Sequence, residues 1–465
     1  MLFNTYFFIY LFLPLTLLVY FTLNRFRMIT SAKLWLTASS LFFYGWWNIK
    51  YIPLILASIG FNYAIGRLLS ETSPARHKLR LSRRKVLIGG IAADLLLLGY
   101  YKYADFFLAN LNALTGQGIA PLAIILPLGI SFFTFTQIAY LVDAYRGKAK
   151  EYNILSYMLF VTFYPHLIAG PILHHSEMMP QFDRLRSKLW SWPNASRGVY
   201  IFCIGLFKKV VVADTFAIYA NNGFEHADRF LQSWVAALSY TLQLYFDFSG
   251  YTDMAIGAAL LFNIKLPQNF NSPYKALSIQ DFWRRWHMTL SRFLRDYIYI
   301  PLGGSRSGEY MTIRNVMITF LLGGLWHGAG WTFIAWGFLH GAGQAVHRLW
   351  SKSGRSLPKW LAWTVTFVFI TITWVFFRAE NWQQAVRILK GMTGLYGTGI
   401  TIWQSSFVPL VLILIAMPIV LFAPNSSERM QSFRPNWKTA LWLAIGFIIS
   451  MVYMNHVSEF LYFNF

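Results

Sequence analysis

The feature that limits this chain most is a series of apolar runs that return from one end to the other. They include YFFIYLFLPLTLLVYFTL, KVLIGGIAADLLLLGYYKY, FVPLVLILIAMPIVLFA and WLAIGFIISMVYMNH. About 20 helical residues cross a ~30 Å hydrocarbon core. A segment inside that core must satisfy its own backbone hydrogen bonds, which favours helices. Charged residues make up 12% of the sequence, against roughly a quarter in a soluble protein. The sequence therefore predicts an all-α polytopic membrane protein, with about eleven spans plus re-entrant and interfacial helices.

The first run opens Met1-Leu2-Phe3-Asn4. It has no basic n-region and no small-x-small cleavage site, so it reads as a retained helix rather than a signal peptide. Cys203 is the single cysteine, which excludes an intrachain disulfide and a multi-cysteine metal site.

The net charge of +22 does not point to nucleic acid, because the cations gather in short loops between apolar spans. The clusters are Arg25/Arg27/Lys33, Arg76 to Lys85, Arg146/Lys148/Lys150, Arg184 to Lys188, Arg284 to Arg306, His347 to Lys359 and Arg429 to Lys438. Loops of this kind face the cytoplasm and its anionic lipid. Alternation then sends 359–377 outward, 405–423 inward and 439–457 outward, with both termini outside the cytoplasm. No internal repeat or long linker interrupts the chain, so residues 1–465 read as one membrane domain.

Two runs are broken. FVTFYPHLIAGPILHH contains Pro165, Gly170 and Pro171, and PLAIILPLGISFFTF contains Pro121, Pro127 and Gly129. Non-helical backbone at membrane depth survives where protein or a water-filled cavity satisfies it. These segments are expected to be kinked or re-entrant and to line an interior funnel.

The most polar region runs from Gln268 to Arg306. Read as one helix, Ile279 to Tyr297 places Asp281, Arg285, Met288, Arg292 and Arg295 on one stripe. Trp283, His287, Leu290 and Leu294 fall on another, so His287 should face inward. Arg284, about 60° away on the wheel, should border the same cavity. The arginines suit either anionic lipid or the phosphates of an anionic donor, which a guanidinium grips with its fork of donors.

The run TFLLGGLWHGAGWTFIAWGFLHG, Thr319 to Gly341, has no Asp, Glu, Lys or Arg, yet holds His327 and His340. If it is helical throughout, Gly323 and Gly324 lie one turn before His327, with Gly330 and Trp331 one turn after. The imidazole would stand over a face without side chains. This is either a packing seam of small residues or a site where substrate comes close. Burial favours the neutral ring, the form a general base requires, and intramembrane ionisable groups are functional candidates.

The remaining histidines carry less. His166 suits a structural hydrogen bond, and His174, His175 and Glu177 do not project together as metal ligands. His340 and His347 are expected near a span end, in solvated or interfacial roles. Asp247 and Asp253 in YFDFSGYTDMAIG are expected to be buried and hydrogen-bonded. No metal centre is read from any of these.

Six stretches in order, YPHLIAGPI, YFDFSGYTDMAIG, LPQNFNSPY, DFWRRWHMTLSRFLRDYIYIPLGG, LLGGLWHGAGWTFIAWGFLHG and EFLYFNF, resemble the membrane-bound O-acyltransferases. The alginate O-acetyltransferase branch of bacteria is the nearest in pattern, and WVFFRAEN extends the likeness. The resemblance implies a ring of helices around a central tunnel in the bacterial inner membrane. It places the family's near-invariant histidine on His327 and its second position on His287.

It further implies that an acetyl group moves from cytoplasmic acetyl-CoA, a substrate rather than a bound cofactor, to an extracytoplasmic polysaccharide. A periplasmic partner of the serine hydrolase-like type is implied as a relay. His327 would act as base, and His287 would position the donor or hydrogen-bond the thioester oxygen. Arg284, Arg285, Trp326 and Asn269 are the donor-binding candidates. Two other readings stand beside this one: D-alanyl transfer from a carrier protein to teichoic acid, and a proton-coupled transporter that is not an enzyme.

Overall fold

The computed structural model describes residues 1–70, 82–149, 153–398, 403–454 and 461, with the side chains of 403–406 excepted. The basic stretch 76–81, Lys150 and all of EFLYFNF but Leu461 lie outside the described residues. Among the described residues the regular structure is helical and no strand occurs.

The helices are α1 Leu13–Arg25, α2 Ile29–Gly45, α3 Ile52–Leu69, α4 Arg83–Thr115, α5 Ile130–Tyr145, α6 Ile154–Thr162, α7 Tyr164–Leu167, α8 His175–Asp183, α9 Trp192–Phe207 and α10 Asp214–His226. They continue as α11 Phe230–Leu261, α12 Ile279–Arg285, α13 Met288–Leu294, α14 Glu309–His327, α15 Trp331–Lys352, α16 Lys359–Arg378, α17 Trp382–Met392, α18 Trp403–Phe422, α19 Ser426–Gln431 and α20 Trp437–Tyr453.

Segments Phe8–Arg25, Ile49–Leu69, Arg83–Thr115 and Lys359–Arg378 are long and apolar enough to cross a membrane, and Phe407–Phe422 and Trp437–Tyr453 are shorter apolar helices. The three C-terminal helices overlap the stretches 359–377, 405–423 and 439–457 expected as spans, of which 455–457 lie outside the described residues.

By backbone contacts the chain divides into two compact units, Met1–Cys203 with Tyr251–Pro267, and Ile204–Gly250 with Gln268–Phe465. In the first unit α1 packs on α2, and α3, α4 and α5 pack on one another. Its interior holds a polar network: Asn62 Nδ2 donates to Asp94 Oδ1 (2.7 Å), and Gln137 Nε2 donates to Ser58 Oγ (2.8 Å).

The two broken runs behave differently. The stretch from Tyr164 to Leu173 is buried, and the His166 ring meets the Phe160 carbonyl oxygen (Nε2 to O, 3.0 Å). The residues around Pro121 are non-helical too, but they lie on the surface rather than along an interior funnel. There the Asp105 carboxylate takes the N–H groups of Leu122 and Ile124 (2.6 and 3.2 Å), so the irregular backbone is satisfied without burial.

In the second unit the closest helix pair is α14 with α15, and α16 packs on α15. A Cβ on Gly337 would lie 2.5 Å from the Phe320 carbonyl oxygen, and one on Gly324 would meet the Phe333 carbonyl and the Gly337 Cα. Only glycine at both positions lets the two backbones approach this closely. At the far end of the pair, Arg348 Nε donates to Glu309 Oε1 (2.7 Å), and Lys352 bonds the same carboxylate. Elsewhere in this unit Lys209 is buried between Asp247 (2.7 Å) and Asp214 (2.8 Å), which gives Asp247 its expected structural partner.

Candidate active site

The stretch expected as one helix from Ile279 to Tyr297 is broken. Ser278 caps α12 through its hydroxyl, which accepts from the Asp281 N–H (3.1 Å). The helix ends at Arg285, Trp286 is extended, and His287 takes φ 41° and ψ 54° before α13 begins. A left-handed conformation on a non-glycine residue costs about 1–3 kcal/mol and needs surroundings that impose it.

Here the segment ahead of α12 supplies them. The Asn269 carbonyl accepts from Met288 N–H (2.9 Å), and its Oδ1 accepts from Thr289 N–H (3.2 Å) and Thr289 Oγ1 (2.9 Å). Asn271 N–H donates to the Arg285 carbonyl (2.9 Å). This clasp explains the break, since the N–H groups a continuous helix would use are committed elsewhere.

His287 is still fully buried, as its stripe implied. Its Nδ1 lies 3.1 Å from Asn269 Oδ1, and its ring meets Phe248 edge-on at 4.8 Å. Trp283, Leu290 and Leu294 are buried with it, while Arg292 and Arg295 are partly or largely exposed.

His327 is the last residue of α14, and Gly328 and Gly330 are extended before α15 starts. The helix therefore does not run past the histidine, and the expected bare face is not there. The ring is buried and bounded by Trp326 (4.9 Å between centroids), Trp336 (5.1 Å) and Phe377 (5.0 Å). Of the two glycines before it, Gly324 serves the backbone seam and Gly323 faces the Leu294 side chain. Trp326 also reaches the His287 ring, at 6.1 Å, so one indole touches both imidazoles.

His340 departs from expectation as well. It is fully buried inside α15 rather than interfacial. Its Nδ1 accepts the Trp283 indole N–H (3.1 Å), and its ring lies 4.6 Å from Trp336. Sequence reading missed Trp336 and Phe377 as walls of the site. The spacing of four between Trp336 and His340 was the available signal, because it sets both on one helix face.

The residues expected to bind the donor fall in two places. Arg284 is exposed and lines an open cavity of about 500 Å3 with Trp283, Arg295, His347, Arg348 and Lys352, and His287 is not among its lining residues. Arg284 and His287 therefore do not share this cavity. Arg285 pairs with Asp281 (2.8 Å) outside that cavity. Trp326 and Asn269 stand at the imidazoles. His174 Nδ1 lies 3.0 Å from Asp143 Oδ2, and Asp253 is buried.

A model of the membrane-bound O-acyltransferase family matches residues 46–381, a span that includes both imidazoles and their clasp. The chain belongs to this family. It is 47% identical to the peptidoglycan O-acetyltransferase of Helicobacter pylori, covering 100% of the chain and 98% of that protein. It is 41% identical to the probable alginate O-acetylase AlgI of Pseudomonas aeruginosa, over 87% of the chain and 76% of that protein. The teichoic acid D-alanyltransferase of Bacillus subtilis is 30% identical, over 54% of the chain and 69% of that protein. The chain is thus a membrane acyltransferase, and the transporter reading falls.

Proposed function

We propose that this chain is the membrane subunit of an O-acetylation system. It takes acetyl from acetyl-CoA at the cytoplasmic face and passes it to a hydroxyl on an extracytoplasmic polysaccharide. Peptidoglycan is the first acceptor to test, since the relative matched from end to end carries that name, and an alginate-like exopolysaccharide is the second. The observation that carries the reading is the pair of buried imidazoles, His327 and His287, joined through Trp326 within the family-matched residues.

In this reading the donor's phosphates bind at the cavity lined by Arg284, Arg295 and Arg348, where guanidinium forks suit phosphate oxygens. His327 takes the proton of the attacking hydroxyl. The hydroxyl oxygen bonds to the thioester carbonyl carbon, the carbon–sulfur bond breaks, and the thiolate recovers the proton. The rings around His327 exclude water that would hydrolyse the thioester. The cavity lies at the cytoplasmic ends of α14 and α15, both termini lie outside the cytoplasm of an inner membrane, and a periplasmic serine hydrolase-like protein relays the acetyl group.

The test uses the full chain in vesicles with radiolabelled acetyl-CoA, and cells in which base-labile acetate on the isolated glycan is measured. Label should reach glycan or a periplasmic partner, and His327→Ala, inserted at normal level, should abolish it. Wild-type acetylation in that variant removes the base assignment. Label transferred only from a D-alanyl carrier protein would establish the teichoic acid reading instead.

A further inference from the structure

The polar clasp on His287 fixes more than its position. The backbone N–H of Thr289 can only donate, so the Asn269 side-chain atom it meets is the oxygen rather than the amide nitrogen. The same oxygen stands 3.1 Å from His287 Nδ1. An oxygen without a hydrogen accepts, so Nδ1 carries the proton. In the neutral ring, Nε2 then carries the lone pair.

We propose that Asn269 is a positioning residue that locks His287 as its Nδ1–H tautomer. His287 then meets the substrates as a hydrogen-bond acceptor through Nε2. The proposal rests on the acyl-transfer reading above and reverses one role expected for His287. A neutral ring of this tautomer has no Nε2 proton to offer a thioester oxygen or a leaving thiolate. Nε2 takes an O–H or N–H of substrate instead. His327 gains the hydroxyl proton and returns that same proton to the departing sulfur, so no second acid is consumed.

Three features of the site agree with a built lock. The side chain of Asn269 is completely buried. Its main-chain and side-chain oxygens together take the three residues 287–289. His287 holds a left-handed backbone that the same contacts impose. Among the described residues, Phe248, Trp326 and Asn269 meet the His287 ring, and none of these three carries a charge.

The direct test is nitrogen-15 NMR of the histidine-labelled full chain in lipid, with the His287 signals assigned by difference against His287→Gln. The expected result is a protonated Nδ1 and a bare Nε2. In parallel, Asn269→Asp keeps an acceptor and adds charge, and should move the acid limb of kcat up by about 1 pH unit or more. The sign follows because a ring that protonates at higher pH loses its acceptor at higher pH. Asn269→Leu removes the acceptor and should lower kcat roughly 10- to 100-fold. A residue that only supports the fold would change both variants' yield while leaving the pH limb in place.

An Nε2–H tautomer in the wild-type chain, with transfer intact, overturns this inference alone. A wild-type chain that transfers acetyl from no thioester removes the functional reading, and the proposed role of His287 goes with it.

Discussion

His287 and His327 are both buried imidazoles touching the same indole, yet they are seated by different means. His327 ends a long helix and is bounded by Trp326, Trp336 and Phe377. His287 lies between two short helices, on a strained backbone, and is gripped by the Asn269 amide. Ring packing sets the plane and place of an imidazole but hardly distinguishes its two nitrogens as seats for the proton of the neutral ring. A hydrogen bond to a carbonyl oxygen does distinguish them, because it requires a donor. The Asn269 seat fixes the proton of His287 on Nδ1, and the aromatic seat around His327 fixes the place and plane of that ring.

The contrast can be broken most severely at His327. His327→Gln keeps most of the volume and should lower acetyl transfer by roughly 10²- to 10⁴-fold, with insertion and melting close to wild type. If His287 is an acceptor, replacing it should be milder and depend on the substitute. His287→Phe should cost roughly 100-fold in kcat/KM, and His287→Gln, which keeps an acceptor oxygen, about 10-fold. Equal losses would erase the distinction.

Arg284, in the open cavity, should move a different constant. Arg284→Gln should raise KM for acetyl-CoA about 10-fold and leave kcat unchanged, as expected of a group that binds but does not take part in bond making. Gly337→Ala should act on activity least of all. It pushes on the Phe320 carbonyl, a backbone atom with little freedom to retreat, and should destabilise the chain by about 1–3 kcal/mol, read as a lower Tm in detergent.

Hydrophobic length and loop charge announced the helices at Lys359–Arg378, Trp403–Phe422 and Trp437–Tyr453, because spanning a bilayer demands a property of the local sequence. The inward position of His287 was legible from periodicity, since each half of the broken helix keeps its own phase. The break was not. It depends on Asn269, eighteen residues earlier, and no local pattern in Trp286–His287 records that clasp. The turn after His327 was written in Gly328 and Gly330, but glycine in an apolar run also marks helix packing, and in Gly324 it does so here. His340 was misplaced because a histidine near the end of an apolar run looks interfacial. Its Nδ1 is satisfied by the Trp283 indole, which arrives from another helix, and Phe320, Trp336 and Phe369 help to bury it.

Glu309 has a mechanical consequence. It fastens the first residue of α14 to Arg348 and Lys352 near the last turn of α15, while residues 328–330 join the opposite ends. A hairpin tied at both extremities resists splaying. An anionic guest competing for Arg348 would weaken that outer fastening, while the seam at Gly324 and Gly337 still holds the two helices together beside residue 327.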